Sequence, residues 1–168
     1  MSKKHVALIA LRVLLGILIL LNMWLIFSFS SQSATESGKT SEKVGETITD
    51  TILPPETEHT PAEQEEFKVN LLSHLRKIAH AVEFGTLASF IFLLLLTWNG
   101  YPLIKYFISI GAAALYAVTD EIHQHFSDGR NMSIADVGID SIGIVVCTSL
   151  ILGTLYLLRY LKKRRDAA

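Results

Sequence analysis

The chain has 168 residues, half of them apolar, with a mean hydropathy of +0.39 and a formal net charge of −1. That apolar load is high for a soluble domain and points to one multispanning membrane domain covering residues 1–168. The only cysteine, Cys147, rules out an internal disulfide, and no CxxC or Cys/His spacing suggests a thiolate metal site or redox chemistry.

Four stretches carry the roughly 20 mostly apolar residues that a spanning helix needs: about 6–29, 78–98, 102–119 and 134–156. The first contains Arg12 and Asn22 and follows Lys3-Lys4-His5, so it also reads as a signal peptide cleaved near Ala34, although its apolar run is long for one. Lys3, Lys4 and Arg12 flank the first span, and Arg159, Lys162, Lys163, Arg164 and Arg165 follow the fourth. By the positive-inside rule both termini are then cytoplasmic. Lys105, just after the turn Asn99-Gly100-Tyr101-Pro102, agrees with that orientation. A short basic run directly after a spanning helix is explained as an anchor on anionic lipid headgroups, and nucleic acid is not expected as a partner.

The long loop of about 30–77 faces outward and is acidic, with Glu36, Glu42, Glu46, Asp50, Glu56, Glu58, Glu63, Glu65 and Glu66. Within it, residues 41–53 place Val44, Ile48 and Ile52 at helical spacing, which predicts a short amphipathic helix on the membrane surface, ended by Pro54-Pro55. Thr60 as N-cap, Pro61 at the first helical position and Glu63 three residues after the cap then open the second long helix. No breaker follows before Asn99-Gly100, so this helix is predicted to extend well above the bilayer, with Phe67, Leu71 and Leu75 along one stripe. The strand signal is nearly absent, and the fold class is all-α with four transmembrane helices.

Ionisable groups at the rim of a bilayer cost about 2.5–3.5 kcal/mol each, so those found there are candidates for function. Arg76, His80 and Glu83 fall within roughly 60° of one another on the second helix, with Lys77 beside them. If the third helix continues past Thr119, Asp120, His123 and Gln124 share a face with Tyr116 one turn below, while Glu121 and His125 point elsewhere. Ser133 is the expected N-cap of the fourth helix, Asp136 complements its start, and Asp140 lies a full turn deeper, where capping cannot account for it. Gly138 and Gly143 allow another helix to approach closely. The topology sends all these groups to the outer leaflet, together with Ser28, Ser30, Ser31 and Gln32 at the end of the first helix.

The elements FSFSSQS (27–33), RKIAHAVEFGTLA (76–88), DEIHQHFSDGR (120–130) and ADVGIDSIG (135–143), in this order, resemble the VanZ-like family, whose best-known member is linked to teicoplanin resistance. The resemblance covers nearly the whole chain and implies a retained first helix in a multi-pass protein of the bacterial plasma membrane. It matches Ser30, Gln32, Arg76, Lys77, His80, Glu83, Asp120, Glu121, His123, Gln124, Gly129, Arg130, Asp136 and Gly143 to family positions. Asp128 stands where the family usually has proline, and Asp140 where it usually has asparagine, which makes this site more acidic.

Three functions follow as expectations. In the first, Gln32, Arg76, Lys77, Glu121, Gln124, Arg130, Asp136 and Asp140 bind a lipid-linked cell-wall component or a lipoglycopeptide, the cations holding phosphate or carboxylate groups. In the second, the chain is an intramembrane enzyme: His80 or His123 is the general base and Glu83 or Asp120 orients it. In the third, the polar clusters lock four helices of an accessory subunit. No cofactor is expected; a metal on His80, Glu83, Asp120 and His123 is disfavoured because no HExxH is present and His123 and His125 diverge on a helix.

Overall fold

In the computed structural model, residues 2–31, 61–126 and 133–167 are described, with residues 61–65 and 68 described by their backbone alone. The amphipathic helix expected over 41–53, the cap expected at Thr60, and Gln32, Gly129 and Arg130 lie outside these residues. All regular structure among the described residues is helical: α1 (Lys3–Ser30), α2 (Pro61–Leu96), α3 (Pro102–His125) and α4 (Ile134–Arg165). Each of the four is long and apolar enough to cross a membrane.

Local chemistry sets the helix ends. Ser2 Oγ accepts the His5 amide at 3.4 Å to open α1, and Ser133 Oγ accepts the Asp136 amide at 3.4 Å to open α4, the cap its sequence predicts. Between α2 and α3, Gly100 turns the chain at φ 128°, in a region closed to residues with a Cβ, and Pro102 starts the next helix. The 36 residues of α2 span about 54 Å, well beyond the ~30 Å hydrocarbon core, as the uninterrupted sequence predicts. Helix α3 runs to His125, past the apolar limit at about 119, because its last polar residues find partners on α1 and at the start of α4.

Helix α2 is the centre of the bundle, touching α1, α3 and, most extensively, α4. The α2–α4 contact is a backbone crossing. A Cβ built on Gly143 would overlap the carbonyl group of Ala81, and one built on Gly85 would lie 2.6 Å from Cys147 Sγ and 2.8 Å from the Gly143 oxygen. Ile26, Phe84, Leu87, Ala88, Ala113, Ala117 and Ile144 form the buried core beside this crossing. Large apolar side chains also cover the outside: Leu20, Trp24, Leu115 and Leu150 are 63–70% exposed. That surface suits lipid as the surrounding solvent.

Candidate functional site

The antiparallel order brings the end of α1, the upper half of α2, the end of α3 and the start of α4 to one end of the bundle. Between α2, α3 and α4 there is a cavity of about 170 Å³. It is lined by Ser73, Arg76, Lys77 and His80 from α2, Glu121 and Gln124 from α3, and Asp136, Ile139 and Asp140 from α4. At its rim Lys77 Nζ lies 3.2 Å from Asp136 Oδ1, both side chains being well exposed. Asp140, one turn deeper, is 6% exposed, and Glu121 is 3% exposed. Arg76 contributes an Nε that is buried and has no hydrogen-bond partner among the described residues. His80 Nδ1 stands 3.7 Å from Glu83 Oε2, an ion-pair distance just beyond hydrogen-bond range.

A second polar network faces α1. Asp120 Oδ2 accepts hydrogen bonds from Ser30 Oγ at 2.7 Å and from Gln124 Nε2 at 2.8 Å, with both Ser30 and Asp120 buried. Gln124 Nε2 also donates to Ser30 Oγ at 3.2 Å. His123 stacks on Phe27 with ring centroids 4.6 Å apart, and its Nε2 lies 3.1 Å from Ser31 Oγ. Tyr116, one turn below, donates to the Met23 carbonyl at 2.9 Å.

Tyr116, Asp120, His123 and Gln124 therefore do share one helix face, which bonds to α1 and at its edges also meets α2, where Tyr116 lies 6.2 Å from the Phe84 ring and Gln124 lines the cavity. Helix α3 packs mainly on α2 and α4 and touches α1 at this face, and residue 121, about 100° round the helix from residue 120, turns toward the start of α4. Glu121 is thus the α3 carboxylate at the cavity. Its Oε1 also accepts the Ser133 amide at 2.6 Å, tying the end of α3 to the start of α4. Gln124 belongs to both networks. A carboxylate only accepts, so the Gln124 amide nitrogen must face Asp120, and Oε1 is the atom left for the cavity.

Ser73 and Ile139 are lining residues that the sequence reading did not single out. The signal was available in spacing: Ser73 precedes Arg76, Lys77 and His80 by three, four and seven residues, and Ile139 lies between Asp136 and Asp140 on one face. Among the described residues, no group of three or more His, Cys, Asp and Glu side chains converges as a metal ion requires. His123, turned toward Phe27 and Ser31, is one reason.

Four apolar helices, a glycine crossing and one polar end built from the quoted motifs set the context for comparison with known proteins. The sequence model of VanZ/LLP1 matches residues 15–158. The chain belongs to the VanZ/LLP1 family. The match takes in the whole polar end, from Ser30 to Asp140, and the crossing at Gly143. A VanZ/LLP1 chain with these helices is a multi-pass membrane protein. No curated protein and no solved structure shows significant similarity to it.

In this VanZ/LLP1 protein the cavity is divided by charge. The α2 wall carries the donors Arg76 and Lys77, and the α3 and α4 walls carry the acceptors Glu121, Gln124, Asp136 and Asp140. Such a site can hold an anionic group against α2 while receiving hydroxyl or amide hydrogen bonds on the opposite side. At about 170 Å³ it has room for a small polar group.

Proposed function

We propose that this protein sits in the bacterial plasma membrane with both termini in the cytoplasm, and that its outward-facing cavity binds the anionic head of a lipid-linked envelope component. The single observation that carries this reading is the divided cavity, in which Arg76 and Lys77 face Gln124, Glu121 and Asp140 across a space of about 170 Å³. Arg76 supports it further, because a buried guanidinium nitrogen lacking a partner among the described residues is satisfied by a phosphate or carboxylate oxygen. The orientation rests on the basic residues gathered at the other end of the bundle, from Lys3 and Lys4 to Arg165.

A contribution to envelope homeostasis or to teicoplanin-type glycopeptide resistance follows from such binding, by control of the components that the antibiotic meets. A lipoglycopeptide could place only a small polar part in so small a space, which favours the lipid-linked head group as the occupant. The test is native mass spectrometry of the detergent-purified protein, read for co-purifying phosphate-bearing lipids. Arg76→Gln with Lys77→Gln should remove the bound lipid at unchanged abundance; a variant that keeps the same lipid and the same phenotype sinks the proposal.

One observation favours a catalytic second reading: His80 lines the cavity with Glu83 at 3.7 Å behind it. In that arrangement Glu83 orients the imidazole, and His80 takes the proton of a water attacking a phosphoester held by Arg76 and Lys77, then returns it to the polyprenol oxygen as the bond from that oxygen to phosphorus breaks. Release of phosphate from a polyprenyl phosphate by the purified protein, absent in His80→Ala, would establish it. Binding without turnover leaves the first reading alone.

A further inference from the structure

The opposite end of the bundle holds a second feature that the polar cavity does not use. Lys105, on the first turn of α3, is only 9% exposed, and its ammonium donates to the Trp98 carbonyl. No side-chain carboxylate among the described residues lies within ion-pair distance of it. An ammonium has three N–H donors, and the Trp98 carbonyl takes one. Burying a cation without a counter-charge is expensive, and the carbonyl at the C-terminal end of α2 offsets that charge only in part.

Lys105 opens onto a groove of about 340 Å³ between the ends of α2 and α3, with Leu95, Trp98, Tyr101, Ile104 and Ile108 along it. The groove is preformed. Arg12 of α1 donates to the Thr97 Oγ1 at 3.0 Å and to the Thr97 carbonyl at 2.8 Å, and its guanidinium lies 4.3 Å from the Trp98 ring centroid. The turn and the indole are thereby held from behind while the groove side stays open. Ile104 and Ile108 are 57% and 52% exposed and one turn apart, a track leading from the ammonium along the helix into the hydrocarbon. Trp98 and Tyr101 are residue types that settle at the headgroup level.

Charge decides the occupant. Lys3, Lys4, Arg12 and Lys105 share this end with the five Lys and Arg residues of 159–165, whereas Asp166 is the only side-chain carboxylate there among the described residues. We infer that the α2–α3 groove is a binding site for an anionic phospholipid of the adjacent leaflet, with its phosphate on the Lys105 ammonium and an acyl chain along Ile104 and Ile108. Net-negative headgroups are selected over phosphocholine because the added trimethylammonium meets an uncompensated cationic surface.

Trp98 provides its own reporter, since Trp24 is the only other tryptophan in the chain. The full-length Trp24→Phe protein is reconstituted in mixed vesicles in which either phosphatidylglycerol or phosphatidylcholine carries brominated chains, and Trp98 quenching gives the relative affinity. A preference of about five-fold for phosphatidylglycerol is expected, and phosphatidic acid should be preferred at least as strongly. Lys105→Gln should bring the ratio to about one, with helicity unchanged by circular dichroism. Should that variant not fold, the lipid series on Trp24→Phe decides alone: equal quenching by all three lipids overturns the inference, as does a preference that survives Lys105→Gln.

Discussion

Replacing Asp120 by alanine separates fastening from chemistry at the polar end. The carboxylate accepts from Ser30 at 2.7 Å and from Gln124 at 2.8 Å, and Ser30 is fully buried. Hydrogen bonds to a charged group are worth about 1.5–3 kcal/mol each in soluble proteins, which sets an upper figure of about 6 kcal/mol. Two things reduce it. Ser30 and Gln124 lie 3.2 Å apart and keep bonding each other, and interhelical hydrogen bonds measured inside membranes average about 0.6 kcal/mol with a maximum near 1.7. One lost bond is interhelical, from Ser30, and the other is an i,i+4 bond from Gln124 within α3, so together they should cost about 1–2 kcal/mol, and Asp120→Asn, which keeps one acceptor oxygen, about half of that. The assay is reversible unfolding of the purified protein in mixed micelles, run beside lipid retention by native mass spectrometry. Asp120→Ala should lose stability in proportion to the bonds removed and retain the bound lipid under conditions where it stays folded. A variant as stable as the parent that nevertheless loses the lipid would refute the reasoning and move Asp120 into the binding machinery.

Three further outcomes follow from the geometry. Gly143→Val should cost at least about 1–3 kcal/mol by overpacking against the Ala81 carbonyl, whereas Gly138→Ala, which meets nothing within 4 Å, should be neutral or slightly stabilising in the same unfolding assay. Gly100→Ala, forced to φ 128°, should lower stability by about 1–2 kcal/mol and speed amide exchange at Thr97 and Trp98. Lys77→Met should change stability by no more than about 1 kcal/mol, because its pair with Asp136 is well exposed, while weakening retention of a phosphate-bearing lipid several-fold by native mass spectrometry.

The four helices were legible because apolar runs of spanning length are a strong signal, and their ends because Pro61, Gly100-Tyr101-Pro102 and Ser133 carry specific backbone chemistry. The end of α3 was legible only in part. Spacing correctly grouped Asp120, His123 and Gln124 with Tyr116, yet periodicity says which residues share a face and nothing about which neighbour that face meets. Hence Glu121, which spacing set apart from the group, is the carboxylate at the cavity, while His123 packs on Phe27. Ser73 escaped notice for a different reason: a serine on a helix is too ordinary to be weighted until its neighbours are known to line a space.

The cavity owes its place to the crossing of α2 and α4. Ala81 and Gly143 bring the two backbones into contact, and Ala81 directly follows His80 while Gly143 lies about one turn below Asp140. Above that contact the helices must separate, because Lys77 and Asp136, with longer side chains, bridge them at the rim. The polar residues occupy the opening of this wedge, and Glu121 closes it from the α3 side while its bond to Ser133 fixes where α4 begins. The width of the site is therefore set by small residues that touch no ligand. A larger residue at Gly143 would push α4 outward, lengthen the reach from Arg76 to Asp140 and loosen the Lys77–Asp136 contact together. On this argument the glycine that looks purely structural also sets the width of the proposed head-group site, and Gly143→Ala should weaken lipid retention in native mass spectrometry with no rescue by substitution at Ala81, because the atoms it strikes there are main-chain atoms.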